Sequence, residues 1–141
     1  MSFNLNVNIT PRDLRGLLPR ERKAILKKRR IALLSTAEKG IEIIQNLREK
    51  GYGYKGAFPS YSKGYAQFLR KKGHKLTPDL DFSGQMIKNV TSKANSSRAV
   101  IYFTSETESK KAAFNNKLRP FMGFSRKDSQ ELSAFFARRL A

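Results

Sequence analysis

The stretch RPFMGFS, residues 119–125, runs directly into a predicted helix and sets how the end of the chain folds back. Pro120 fixes its own φ and biases Arg119 towards extended backbone. Ser125 lies three residues before Asp128, which is the spacing of a capping box at a helix N-terminus. These residues predict a rigid turn that directs a C-terminal helix, either onto the chain's own core or towards a partner.

Upstream of this stretch, the pattern predicts a β-hairpin and then a short helix. The hairpin consists of strands expected over Phe82–Lys93 and Ala99–Thr104, joined by the polar turn at 94–98, because the second strand is dense in β-forming residues. The short helix is expected over Glu106–Asn115. Its apolar side would consist of Ala112, Ala113 and Phe114.

A long helix is predicted over Arg20–Lys50, with Pro19 before its start and Gly51 after its end. Its apolar residues share one face at 100° per residue, which indicates packing on a core. Those residues are Leu26, Leu33, Leu34, Ala37, Ile41, Ile44 and Leu47. Gly40 interrupts this face and indicates either a kink or a close approach of the helix to a sheet.

The pattern predicts an extended N-terminal arm over residues 1–19 and a single α+β domain over residues 20–141. The arm alternates apolar and polar side chains with a period of two, as a strand does. Its apolar residues are Phe3, Leu5, Val7 and Ile9. Such an arm can add to an open sheet edge of its own chain or of a neighbour, and a disordered terminus is the alternative.

Charge dominates the composition, because 29 basic residues against 11 acidic residues give a net charge of +18. Such a surface attracts acidic partners, which include nucleic acid, anionic membranes and acidic proteins. The residues predicted to contact DNA or an acidic partner are Arg22, Lys23, Lys27, Lys28, Arg29, Arg30, Lys55, Arg70, Lys71 and Lys72. A merely solvated charged face is the usual alternative for such a run.

Residues 51–75 combine glycines, aromatic residues and cations, and contain no acidic residue. Two interpretations remain open for this segment. Basic groups interleaved with aromatic rings can form a stacking platform for single-stranded nucleic acid. Alternatively, the segment is irregular, and its tyrosines anchor it to the core while their hydroxyl groups stay hydrated.

Sequence features of catalysis are sparse. The chain has no cysteine, and its single histidine, His74, lies between Gly73 and Lys75 without an acidic residue close by in sequence. Asp79 and Asp81 are two residues apart, and turn chemistry accounts for them. No zinc-binding spacing, phosphate-binding glycine loop or nucleophile motif occurs in the sequence. We therefore expect a protein that is not an enzyme and has no cofactor or metal.

Three segments, in their order along the chain, carry a resemblance to a known family. They are the helix through Gly40 followed by Phe58–Ser62, the segment Asp81–Met86, and Arg119–Ser125. This order resembles the tail completion and virion morphogenesis proteins of tailed bacteriophages, which act at the neck between head and tail. The likeness covers roughly residues 30–140. Residues 113–118 lack the glycine common in that family, which leaves open whether the protein completes the tail, closes the head or joins the two.

The resemblance implies an α+β subunit in which a long N-terminal helix packs on a curved antiparallel sheet with a β-hairpin, a short helix and a C-terminal helix. It implies a structural virion protein that forms a homo-oligomeric ring, with a hexamer favoured, around the path of the DNA. Other neck and tail proteins would be its partners. Its location would be the neck or tail of the virion, and the host cytoplasm during assembly.

Two segments are suited to reach adjacent subunits in such a ring, namely the N-terminal arm and the turn before the last helix. The residues expected to take part in assembly are Phe3, Leu5, Val7, Ile9, Arg119, Pro120, Phe121, Met122, Gly123, Phe124 and Ser125. The competing interpretation is a small basic nucleic-acid-binding protein, which the charge and the aromatic segment both favour.

Overall fold

The structure, a computed structural model, describes residues 2–6, 19–74, 76, 78 and 88–141. The helices in these ranges are α1 (Pro19–Glu49), α2 (Lys63–Lys71), α3 (Glu106–Leu118) and α4 (Arg126–Leu140). The strands are β1 (Ser2–Asn6), β2 (Tyr52–Gly53), β3 (Gly56–Ala57), β4 (Val90–Ala94) and β5 (Arg98–Phe103). The α+β class, with its long N-terminal helix, hairpin, short helix and C-terminal helix, is confirmed.

Strand β5 is the centre of an antiparallel sheet in the order β1-β5-β4. Alternate residues of β5 are buried, namely Ala99, Ile101 and Phe103, because successive side chains of a strand point to opposite faces. The turn between β4 and β5 is held by Asn95, whose side-chain Oδ1 accepts from the backbone N–H of Ser97 at 2.8 Å. The predicted hairpin therefore forms, and β5 provides its buried face.

Helix α1 packs across β4 and β5, and also contacts β2 and α4. Leu33, Ala37 and Ile44 from the predicted apolar face are buried, whereas Leu26, Leu34, Ile41 and Leu47 are half-buried. Gly51 follows the helix with φ +80°, a left-handed conformation that residues with a Cβ rarely adopt. The predicted helix and its C-terminal boundary are therefore confirmed to within a residue or two.

Three predictions about individual segments need correction. The strand predicted over 82–93 begins only at Val90, because Lys88 and Asn89 are not in a strand, and 82–87 lie outside the described residues. The segment 51–75, for which an irregular chain was one of two interpretations, contains the two-stranded sheet β2–β3 and helix α2 in its described part, residues 51–74. Helix α3 extends three residues beyond the prediction, and its Phe114 is 76% exposed rather than part of an apolar core side.

Two glycines allow the stretch 119–125 to lie close to other elements. A Cβ at Gly53 would overlap the carbonyl oxygen of Pro120, so strand β2 touches the backbone of that stretch directly. A Cβ at Gly40 would lie 2.7 Å from the ring of Phe124. The same Cβ would lie 3.3 Å from Ile101 Cδ1 in β5, so Gly40 marks a close approach of α1 to the sheet as well as to Phe124, one of the two alternatives that the sequence left open.

We predict that Gly53→Ala destabilises the protein by about 1–3 kcal/mol, because the new methyl group must displace backbone and not a flexible side chain. Gly64→Ala is the matched control, since no described atom lies within 4 Å of a Cβ built there. On α2 that change should be neutral, or stabilising by up to about 1 kcal/mol. Urea unfolding followed by circular dichroism measures both; equal midpoints for the two variants would contradict the close contact.

Candidate functional site

Arg119 begins the stretch 119–125 and is held by two contacts. Its guanidinium lies 4.8 Å from the centroid of the Tyr61 ring, within the range of a cation–π contact. Its Nε donates a hydrogen bond to the carbonyl oxygen of Pro59 at 3.2 Å. Arg119 is buried in this arrangement, so it ties the end of α3 to the segment that precedes α2.

Asn116 orients the middle of the stretch. Its side-chain Oδ1 accepts from the backbone N–H of Phe121 at 2.9 Å and from that of Met122 at 3.0 Å. Both apolar side chains are buried in the chain's own core. Burial of each contributes about 1.5–3 kcal/mol to stability. Phe121 and Met122 were predicted to contact a partner, but in this fold they face inwards, so any partner-binding surface of this region must use other residues.

The end of the stretch fixes α4. Gly123 lies against the ring of Tyr54, where a Cβ would come within 2.7 Å of ring carbons. The Oγ of Ser125 accepts from the backbone N–H of Asp128 at 3.1 Å, which confirms the predicted helix cap. From there α4 runs back along α1, since Lys28 Nζ contacts the backbone oxygen of Ala141 at 3.4 Å. Residues 119–125 therefore connect α3 to α4 and contact both α1 and the β2–β3 hairpin.

The N-terminal arm pairs with the chain's own sheet. Strand β1 is antiparallel to β5, with Phe3 opposite Ile101 and Leu5 opposite Ala99. Val7 and Ile9 lie outside the described residues. The edge of β5 is therefore occupied by its own chain, which is one of the two possibilities that the period-2 pattern predicted.

The predicted cationic residues are exposed with one exception. Arg22, Lys23, Lys27, Lys28, Arg30, Lys55, Arg70, Lys71 and Lys72 all lie at the surface. Arg138 and Arg139, near the end of α4, are also exposed. Because α4 ends beside the first half of α1, these two arginines extend the basic surface of that half.

Arg29 is the exception, because it is only 2% exposed. Its Nε and Nη2 have no hydrogen-bond partner among the described residues. Removal from water lowers the pKa of the Arg29 guanidinium below its ordinary value. Arg48 on the same helix is equally buried, but its Nε donates to Gln45 Oε1 at 3.1 Å. Arg29 was predicted to belong to the contact surface; it is instead a costly buried cation.

Helix α2 carries a row of aromatic rings beside cations. The Tyr61 and Tyr65 rings meet edge to face at 4.9 Å, and those of Tyr65 and Phe68 stack at 6.0 Å. Lys72 Nζ lies 5.9 Å from the centroid of the Phe68 ring, and that ring is 44% exposed. Leu69 is buried and anchors the helix. We call Tyr61, Tyr65, Phe68 and Lys72 the α2 face.

Groups that could support catalysis do not come together in the part of the chain that the structure describes. His74 is exposed and follows the end of α2. No group of three or more His, Cys, Asp or Glu residues there is arranged to hold a metal ion. The described helices also include none that is long and apolar enough to cross a membrane.

Comparison with protein-family models, with curated proteins and with solved structures gave no match. The functional interpretation therefore rests on the residues and their geometry, together with the resemblance described above.

The sequence analysis missed Asn116 and helix α2, although it named the aromatic and cationic residues of segment 51–75 as a possible stacking platform. A weak signal existed for α2, because Ser62 precedes it and Tyr61, Tyr65 and Phe68 have the 4-and-3 spacing of one helix face. The Ser62 Oγ does accept from the backbone N–H of Tyr65, at 3.3 Å. Asn116 gave no such signal, since its two hydrogen bonds depend on the path of a turn that follows the helix.

We predict that Arg29→Met stabilises the protein by about 1–3 kcal/mol, because the buried Nε and Nη2 of Arg29, which lack a hydrogen-bond partner among the described residues, are replaced by an apolar side chain. Arg30→Met is the control, since Arg30 is exposed on the same helix and its replacement should change stability by less than about 0.5 kcal/mol. Thermal and urea unfolding measure both variants. A clear loss of stability in Arg29→Met would show that the guanidinium makes a favourable interaction in the folded protein.

Proposed function

We propose that this chain is a structural subunit of the neck or tail of a tailed bacteriophage, which completes the tail or joins it to the head as a ring around the path of the DNA. The order of the three sequence segments supports this proposal, and so does the α+β fold with its long helix on an antiparallel sheet. The strongly basic surface suits a protein placed beside DNA or beside acidic neighbouring proteins.

The observation that carries the proposal is an exposed apolar pair on α3. Phe114 is 76% exposed and Leu118 is 58% exposed. They are four residues apart on a helix and therefore lie on the same face. Two large apolar side chains exposed on one helix face are suited to a surface that another protein covers, which is how they support the proposal. A protein that contacts only phosphate groups would not need it.

The test is assembly in solution and on particles. We expect the purified protein to form a closed oligomer, six subunits being favoured, that persists at 1 M salt because apolar contacts are not screened. The double variant Phe114→Ser/Leu118→Ser should remain monomeric with an unchanged unfolding midpoint. Tyr52→Ser is the control, since it removes an exposed aromatic ring from a different element. Analytical ultracentrifugation measures the mass in each case.

The same preparations can be added to isolated phage heads and tails. Negative-stain images should show wild-type protein at the junction, and the double variant absent from it. A wild-type protein that stays monomeric at all concentrations and binds neither heads nor tails would overturn the proposal.

A second candidate function is nucleic-acid binding, which the α2 face favours. Aromatic stacking with a base contributes about 1–3 kcal/mol, and it tolerates any sequence because every base has a π face. Phe68 and Tyr65 are both partly exposed, and the exposed cations Lys63, Arg70, Lys71 and Lys72 lie on or just after the same helix. The occupant would be single-stranded nucleic acid.

If this second function holds, Phe68→Ala weakens binding of a 20-nucleotide single-stranded DNA by about 1–2 kcal/mol without changing its salt dependence. Lys72→Gln should instead make the slope of log K against log salt shallower by about one, as expected for the loss of one phosphate contact. Fluorescence anisotropy over a series of salt concentrations measures both, with Phe114→Ala as the matched control. Equal affinity of Phe68→Ala and wild type would exclude the α2 face as a stacking platform.

A further inference from the structure

A cleft lies between the outer side of α1 and the end of α4, with a volume of about 350 Å³. Six of its lining residues come from α1, and Arg139 comes from α4. The α1 residues are Ala24, Lys27, Lys28, Ile31, Ala32 and Ser35. Their spacing of three and four residues places them along one stripe of the helix. This volume is at the small end of the range for ligand pockets, so it suits a few side chains rather than a large ligand.

The residues that line this cleft are of two chemical kinds. The apolar ones, which we call its floor, are Ala24, Ile31 and Ala32, and Ile31 is 49% exposed. The cationic ones, which we call its rim, are Lys27, Lys28 and Arg139, and the described residues that line the cleft include no acid. A ligand that covers the floor must therefore offer an apolar group, and one that neutralises the rim must offer negative charge.

The cations of the rim are partly positioned before any ligand arrives. The guanidinium of Arg139 lies 4.9 Å from the centroid of the Phe135 ring, and Lys28 Nζ contacts the backbone oxygen of Ala141. Long cationic side chains lose rotamer freedom when a ligand immobilises them, so contacts that already orient them reduce that cost. The geometry is thus partly preorganised for an anionic ligand.

We propose that this cleft, which we call the α1–α4 cleft, binds an acidic amphipathic helix of a different protein. Such a helix presents apolar residues at intervals of three and four, which can lie on the floor, while its carboxylates face the rim. This inference deepens the proposed function by giving the chemistry of one partner, and it rests on that function for its biological setting.

Two other occupants match the cleft less well. A second copy of this chain brings a net charge of +18, so like charge opposes its approach to the rim. Nucleic acid would satisfy the cations through its phosphates, but the described residues that line the cleft include no aromatic ring on which a base could stack. Only a polypeptide with both acidic and apolar side chains matches the floor and the rim together.

The experiment uses three labelled probes against the full chain. The first is a synthetic 18-residue helical peptide with leucine on one face and glutamate on the other. The second has the same glutamates but serine in place of each leucine. The third is a 20-nucleotide single-stranded DNA. We expect the first peptide to bind at least tenfold more tightly than the second, since only the first can cover the apolar floor.

Variants of the cleft should separate its two chemistries. Ile31→Gln should weaken the leucine peptide about five- to tenfold, and this loss should persist at 0.5 M salt, because apolar contacts are not screened. Lys27→Gln should weaken it about two- to fivefold at low salt only, as expected for an exposed ion pair. Tyr52→Gln and Lys50→Gln are the matched controls, because both positions are exposed and neither lines the cleft, and both should bind the peptide as wild type does.

The location of the bound peptide can be tested directly, because the chain has no cysteine. Ser35→Cys places a single thiol in the cleft, and Ser133→Cys places one at an exposed position of α4 that does not line it. An environment-sensitive dye on the first thiol should respond when the leucine peptide binds, and the same dye on the second should not.

Two results would overturn this proposal. One is equal binding of the leucine and serine peptides, or of Ile31→Gln and wild type. The other is that Ile31→Gln and Lys27→Gln weaken binding of the DNA and not of the peptide, which would make the cleft a nucleic-acid site. Neither result depends on assembly of the ring, so the proposed neck function can fail or hold independently of them.

Discussion

The rest of the structure depends on the close backbone contact between β2 and the turn at Pro120. Gly53 has no side chain, so β2 can approach the Pro120 carbonyl and Phe121 and Met122 can enter the core beside it. Asn116 holds the two amides that this path would otherwise leave without a partner. The turn also directs α4. The position of that helix against α1 therefore depends on the contact between Gly53 and Pro120, two residues more than sixty positions apart in sequence.

Charge sets the second constraint. A net charge of +18 destabilises the folded chain through repulsion between its cations. This repulsion is strongest where α1 and the end of α4 bring their cations together. Several contacts moderate this: Arg119 stacks on Tyr61, Arg139 on Phe135, and Arg48 bonds to Gln45. The Nε and Nη2 of Arg29 have no such partner among the described residues. The α1–α4 cleft is also lined by cations. The basic surface as a whole therefore suits an acidic partner, and the apolar lining of the α1–α4 cleft favours an acidic protein at that site.

Much of the fold could be predicted where local pattern and final environment agree. The helical period over α1, the density of β-forming residues along β5 and the serine three residues before Asp128 each identified their element, because these signals act over a few residues. The prediction failed where burial is decided by distant elements. Phe114 looked like a core residue beside two alanines, yet α3 turns it to the solvent; Arg29 looked like one more surface cation, yet it is covered.

The sequence by itself determined the long helix, the hairpin, the two later helices and the net charge, since helical period, β-forming composition, capping and charge are properties of neighbouring residues or of composition alone. Only the tertiary structure decided that Phe121 and Met122 face the chain's own core, that β1 pairs with its own β5, and that α1 and α4 enclose a cleft with an apolar floor and a basic rim. The physical reason is that burial and enclosure arise from packing between residues far apart in the chain. A local sequence pattern does not specify which distant residues will pack against it.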